Sequence, residues 1–341
     1  MSQSRRPRSE RRAEERAASS DASGKSHRTL WTRIIIAAVV LIVVAGIAFA
    51  ALYPTYIAPF RITVITVDGN EIKMDYFLRI TKLTGADPFE TLSTLSEQWL
   101  VKIEAPNYGI EVSDEEVDQQ LRAIARGDSE FISESEFNEW YRQRINLADF
   151  SDEEYRDLIK TGMLADKLHL YFAARVPTVA EQVHLYSLFL DTQEEAEEAR
   201  ARWEAGEDFI ELAIEITNDE FTRENGGELG WFPQGVMTPQ FDYEAFNMAA
   251  GNVSQPIPLF TPEDDQSVGQ DRSIMGWALF WVRDRVPARE LDETSIEVLR
   301  GKALEDWLGV EITRHEIKYF GLEGSFDSQT YAWINWQLAK D

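Results

Sequence analysis

The chain has 341 residues, with 60 acidic against 34 basic side chains, four histidines and no cysteine. That length accommodates roughly two domains of ordinary size, and the lack of cysteine excludes disulfide scaffolds, thiol nucleophiles, zinc–cysteine sites and a lipid-bearing cysteine. A net charge of −26 argues against nucleic acid as a partner, because phosphate contacts need a basic surface.

The charge is divided along the chain. Residues 1–33 hold nine Lys/Arg and four Asp/Glu, a net of +5, whereas the rest holds 25 and 56, a net of −31. No charged residue occurs from Ile34 to Phe60. As a helix rising about 1.5 Å per residue, Ile34–Leu52 would span roughly 28 Å, close to the ~30 Å hydrocarbon core of a bilayer. Trp31, Tyr53 and Tyr56 flank the run as interface anchors would, and Arg28 and Arg33 precede it. The excess of positive charge on the N-terminal side predicts one transmembrane helix at 34–53, a disordered cytoplasmic tail at 1–33, and an extracytoplasmic remainder. A cleaved signal peptide is the competing reading, since Ala48-Phe49-Ala50 before Ala51 has the form of a cleavage site. The apolar run is longer than the roughly 7–15 residues usual in such peptides.

Beyond the anchor, the alternation Ile62–Val67 followed by Asp68-Gly69-Asn70 predicts a strand entering a tight turn. Helical spacing follows in Tyr76, Phe77, Ile80 and Leu83, and again from Phe89 to Ile103. Ser113 with Glu116, and Ser151 with Glu154, form capping-box patterns that open two further helices. The second should run to about Arg175, before Val176-Pro177. Residues 62–180 are thus a mostly helical unit.

The pattern changes at Glu181. Gln182–Leu190 reads as a strand by its aromatic and aliphatic content. Thr192 with Glu195 caps a helix to about Glu204, and Phe209, Leu212, Ala213 and Ile216 mark a shorter one. The glycine-rich 226–233 is no helix; Phe241–Met248 is one, with Gly251 as its expected C-cap. Trp277–Val282 closes with a strand, after an acidic loop at 261–272. The order suits a small α+β domain with helices against an antiparallel sheet. Past Pro287, a long helix places Ile296, Leu299, Leu304, Trp307, Leu308 and Ile312 on one side. The tail from Gly321 carries Phe326, Tyr331, Trp333, Ile334 and Trp336, which must pack somewhere; folding back on 62–176 is the expectation.

Four motifs in order carry a family resemblance. They are EDFIELA at 207–213, GGELGWF at 226–232, GVMTPQF at 235–241, and AF at 245–246 leading to GNVSQP at 251–256. Together they resemble the parvulin-type peptidyl-prolyl isomerases, and the flanks resemble extracytoplasmic folding factors of the SurA and PrsA type. The resemblance implies a parvulin domain at 181–287, inserted in a helical chaperone-like domain at 62–180 completed by 288–341. It implies a proline pocket at Leu229, Met237 and Phe241. The family's acidic or thiol position falls on Asp219. Its two histidine positions fall on Ser187 and Ala278, while His184 should project to the opposite sheet face.

Rotating an X-Pro bond breaks no covalent bond; its barrier of about 20 kcal/mol comes from lost amide resonance. An apolar cup with a few polar groups is therefore sufficient machinery, and no cofactor or metal is implied. The histidines never approach metal-ligand spacing. Two functions follow from the resemblance. One is an isomerase acting on unfolded exported polypeptides with X-Pro bonds, with Asp219 and Ser187 as its polar groups. The other is a holdase that uses the domain as a non-catalytic peptide-binding module.

Overall fold

A computed structural model describes residues 37–53, 56–260 and 273–340. The basic tail, Ile34–Ile36 and the acidic stretch 261–272 lie outside the described residues. In chain order the elements are α1 (residues 37–53), α2 (Ala58–Arg61), β1 (Thr63–Val67), β2 (Asn70–Lys73), α3 (Met74–Thr84), α4 (Pro88–Glu104), α5 (Asp114–Arg126), α6 (Glu134–Ala148) and α7 (Asp152–Ala173). Then come β3 (Val179–Leu190), α8 (Gln193–Glu204), α9 (Phe209–Ile216), α10 (Glu220–Arg223), β4 (Glu228–Pro233), α11 (Pro239–Asn247), β5 (Ile257–Phe260) and β6 (Ile274–Glu290). The chain ends with α12 (Glu293–Ile312), β7 (Ile317–Gly321), β8 (Gly324–Ser325) and α13 (Ser328–Leu338). The result is a mixed α+β chain. Among the described residues no helix is long and apolar enough to cross a membrane; α1 covers only the part of the apolar run from residue 37 onward.

The contacts divide the chain into two compact units, the first made of 1–96, 142–150 and 315–341. Its sheet has the order β2-β1-β7-β8. Asp68 and Gly69 both take positive φ, 49° and 81°, which is the type I′ turn that joins antiparallel strands without splaying them. Val64, Ile65 and Val67 of β1 are fully buried, with Met74 and Phe77 of α3 beside them in sequence and equally buried. The aromatic tail packs here. Trp333 meets Phe60 at 5.4 Å, and Phe326 and Tyr331 meet Phe89 at 5.5 and 5.2 Å.

The second unit comprises 97–141 and 151–314. Ser113 and Ser151 cap α5 and α7 as the spacing predicts, each accepting the backbone N–H of the glutamate three residues on, whose carboxylate accepts from the cap residue in return. α12 lies along α7, and Tyr108, Phe172 and Trp307 form an aromatic cluster, with the Trp307 indole N–H donating to the Tyr108 hydroxyl at 2.9 Å. The predicted stripe on α12 is buried through Trp307 and Leu308, but Ile312 is 38% exposed because the helix ends there.

Within this unit stands a four-stranded antiparallel sheet of order β4-β3-β6-β5. Alternation along β3 assigns its faces. Tyr186, Leu188 and Leu190 pack with Ala196, Ala199, Phe209 and Leu212 of α8 and α9. Val183 and Leu185 pack with Ala245 of α11. β6 extends well beyond Trp277–Val282, because its second half pairs with the start of β3, as far as Val179 opposite Glu290. Gly251 does not cap α11, whose C-cap is Met248 in an extended conformation. Gly251 instead donates its N–H to the Val282 carbonyl, attaching the following loop to β6.

Candidate functional site

The α11 side of this sheet collects the apolar residues of interest. Ile257, Ala278 and Phe280 form a buried cluster bordered by Phe189, Leu229, Phe241, Met248 and Leu259. A second cluster of Val183, Leu185, Ala245 and Val282 is bordered by Leu229, Met237, Phe246 and Met248. Leu229 and Met248 belong to both, so the two form one apolar surface. Leu229 arrives on β4, Phe241 on the first turns of α11, and Met237 on the loop between them. Phe241 meets Phe280 edge to face, with ring centroids 5.0 Å apart. All three predicted pocket residues are half-buried, so each packs on the sheet and still presents surface to solvent.

The segment preceding α10 is stitched to the edge of this surface. The Phe189 N–H donates to the Thr217 hydroxyl at 3.0 Å, and the Asn218 N–H donates to the Phe189 carbonyl at 2.7 Å. Arg223 donates from Nε and Nη2 to the Thr217 carbonyl at 3.0 and 2.8 Å. Asp219 follows directly. Its Oδ1 accepts the Phe221 N–H and its Oδ2 the Thr222 hydroxyl, so the carboxylate is the N-cap of α10. The backbone therefore brings Asp219 beside Phe189, whose ring borders the apolar surface, while the side chain serves its own helix.

Ser187 and Ala278 are both fully buried. Ser187 is opposite Phe280 across the β3–β6 ladder, and Ala278 opposite Phe189. Among the described residues the Ser187 Oγ has no hydrogen-bond partner, an orphan that ordinarily costs about 1–3 kcal/mol when buried. Its N–H donates to the Gly227 carbonyl at 2.8 Å. Two glycines are required at this approach. A Cβ on Gly226 (φ +65°) would lie 2.2 Å from Cγ2 of Ile210, and one on Gly227 (φ +81°) 2.3 Å from the Ser187 carbonyl oxygen. His184, one strand position out of phase with Ser187, stacks on Trp231 at 4.8 Å and bonds through Nε2 to Glu228 at 2.7 Å.

Residues 190–284 match the family described as the PPIC-type PPIASE domain. The four motifs lie inside this matched segment, so the likeness to the parvulin type rests on residues 190–284. The parvulin match takes in Asp219, Leu229, Met237, Phe241 and Ala278 and begins just beyond Ser187. Residues 89–169 match a SurA-like N-terminal domain. The chain is 27% identical over 286 residues to the foldase protein PrsA of Oceanobacillus iheyensis, covering 77% of this chain and 86% of that one. It is 26% identical over 178 residues to the chaperone SurA of Pseudomonas fluorescens, covering 43% of this chain and 40% of the other. Among solved structures, the peptidylprolyl isomerase PrsA of Bacillus cereus is 18% identical and superposes with a TM-score of 0.37, covering 82% of this chain and 92% of that one.

One functional candidate in the matched segment, Asp242, is not singled out by the motifs. Asp242 of α11 is buried, and its Oδ2 accepts the Gly235 N–H at 2.7 Å, while Lys302 of α12 donates to the Gly235 carbonyl at 3.1 Å. Together they clamp the loop that carries Met237. A carboxylate one residue past a pocket phenylalanine, seven past a glycine, was the available signal. Burial pushes the Asp242 carboxyl above the usual carboxylate range, offset in part by the Gly235 amide and the Lys302 ammonium. The folded state therefore holds this proton more tightly than the unfolded chain. Its contribution to stability grows as pH falls through the interval between the ordinary and the raised value, and is lost as pH rises through it. Asp242→Asn keeps an acceptor for Gly235 and removes the titration. Thermal melts from pH 7 to pH 4 should show the wild-type chain gaining on the variant as pH falls. A constant difference would mean that Asp242 does not titrate differently on folding.

Proposed function

We propose that the chain is a peptidyl-prolyl isomerase that assists folding of exported polypeptides, held outside the cytoplasmic membrane by one N-terminal helix. The convergence of Leu229, Met237 and Phe241 on one sheet face carries the catalytic part of this reading. A proline ring seats against these three side chains, which exclude water from one side of the X-Pro amide. Removing solvent lowers the barrier, because the twisted amide has lost the resonance charge separation that water stabilises in the planar form. The 217–219 segment borders the seat, so Asp219 places its negative charge at the rim. Ser187 contributes a buried hydroxyl within the same layer. The membrane part rests on the uncharged stretch 34–60, preceded by a tail of net charge +5.

A second reading has its own support. Ala278 offers no hydrogen bond, the Ser187 Oγ is unpartnered and the Asp219 carboxylate is committed to capping α10. A site with so little free polar chemistry is also suited to holding a polypeptide without isomerising it. An X-Pro peptide assay on the whole chain, run beside suppression of aggregation of an unfolded client, separates the two. Rate enhancement that tracks the pocket residues establishes the isomerase. Suppressed aggregation with the uncatalysed isomerisation rate establishes the holdase and rejects the enzyme.

A further inference from the structure

The first unit contains a groove of about 670 Å³ lined by Phe60, Leu78, Leu83, Leu147 and Leu338, with Arg79, Lys82 and Lys340 against Asp75 and Asp149. Its rim is unusually apolar for exposed surface. Leu147 is 80% exposed and Leu83 47%, and Trp336, which carries the Lys340 ammonium over its ring at 3.2 Å, is 57% exposed. Asp75 accepts the Tyr76 N–H at 2.9 Å, and Arg79 donates to the Asp149 carbonyl at 2.6 Å with its guanidinium over the Phe150 ring. Leucine, tryptophan and lysine mixed in this way make an interfacial surface, with apolar side chains to enter the acyl boundary and long cationic ones to reach headgroup phosphates.

Two further facts select the occupant. The first is charge. The second unit holds 46 acidic and 17 basic residues, whereas residues 34–96, 142–150 and 315–341 hold only 10 and 8. In an ectodomain that would otherwise be repelled by an anionic bilayer, the groove is a local exception, with three cations to two carboxylates. The second is tether length. Phe60 forms part of the groove wall and lies seven residues after Tyr53, the last described residue of α1. Seven residues reach at most about 25 Å, and the bond from the Ile57 N–H to the Tyr53 carbonyl makes the connection shorter.

We propose that this groove and its rim dock onto the outer surface of the membrane, with Lys82 and Lys340 taking anionic lipid headgroups, Arg79 adding its positive charge from the groove wall, and Leu83, Leu147 and Trp336 entering the interface. The proposal rests on the reading of 34–53 as a membrane anchor. Docking would hold the first unit against the bilayer rather than leave it swinging on its tether.

The absence of native cysteine makes the test clean. The full chain is placed in nanodiscs of phosphatidylcholine, with or without phosphatidylglycerol, and spin-labelled singly at Leu147→Cys, Phe131→Cys or Leu41→Cys. Collision with a water-soluble relaxant is then measured. The label at 147 should be shielded about threefold more in the anionic discs than in the neutral ones, and Lys82→Glu with Lys340→Glu should abolish the difference. The label at 131 should remain open to water in both. A label at 147 as accessible as that at 131 overturns the proposal, as does shielding that ignores lipid charge or that appears only when an unfolded polypeptide is added. The anchor is judged separately: a label at 41 in contact with water refutes the anchor whatever residue 147 reports.

Discussion

Phe241→Ala should lower kcat/KM for X-Pro isomerisation by about 30- to 100-fold, the equivalent of roughly 2–3 kcal/mol of lost apolar contact at the proposed proline seat. The ring is positioned by an edge-to-face contact with Phe280 and by Ala278 and Ile257 beneath it, so its removal leaves a hole in the floor that neighbours cannot close. Met237→Ala should act in the same direction but less strongly, because a flexible thioether on a loop gives up a less defined contact. His184→Ala is the control. Its ring stacks on Trp231 on the other side of β3, and its loss should leave the rate within about twofold. Stopped-flow or NMR exchange measurements on a proline peptide read all three. Equal rates for Phe241→Ala and the wild-type chain would remove the proline seat from this face of the sheet.

Gly227→Ala should be the most damaging single methyl group in the segment that matches the parvulin family. The new Cβ would lie 2.3 Å from the Ser187 carbonyl oxygen and 3.0 Å from Cβ of Ala213, at a φ of +81°. Neither neighbour can yield cheaply, since one is strand backbone and the other sits on α9. Backbone strain and overpacking together should cost about 4 kcal/mol, which for a unit of this size lowers Tm by about 8–15 °C. Gly230→Ala supplies the comparison. It has a φ of +103° but nothing within 4 Å of a Cβ, so only the conformational strain of about 1–3 kcal/mol applies. Calorimetric melts that rank Gly230→Ala as the worse of the two would contradict the close approach of β3 to this turn.

The order in which the chain builds its elements was legible because local chemistry dictates it. Ser113, Ser151 and Thr192 each announce a helix by a side chain that satisfies an orphan N–H, and all three cap as their spacing predicts. α6 passed unread although Ser133 and Glu136 form the same reciprocal pair, because only Phe137 of its apolar residues is buried and the helical stripe is faint. β6 was read too short for a different reason. Its second half, Arg283 to Glu290, has little apolar content and is a strand only because β3 pairs with it, a long-range fact that periodicity does not contain.

The site divides in the same way. Leu229, Met237 and Phe241 could be named from motif positions, and the sheet brings them to one surface. The cap made by Asp219 was not visible, since a carboxylate facing a substrate and one serving Phe221 and Thr222 look alike until the turn is folded. Nor was the clamp on Gly235, because Asp242 and Lys302 are sixty residues apart in the chain and meet only at that loop.

The pairing of Val179 with Glu290 has a consequence for how such a chain is assembled. Paired residues in an antiparallel ladder lie about 5 Å apart, so everything from β3 to β6 enters and leaves through one narrow neck. An insertion with touching ends imposes almost no loop-closure entropy on its host. If the segment between those residues is an insertion, two or three residues would bridge the gap left by removing it. Gain, loss or exchange of that segment over evolutionary time would then leave the helices that flank it with the same path to fold.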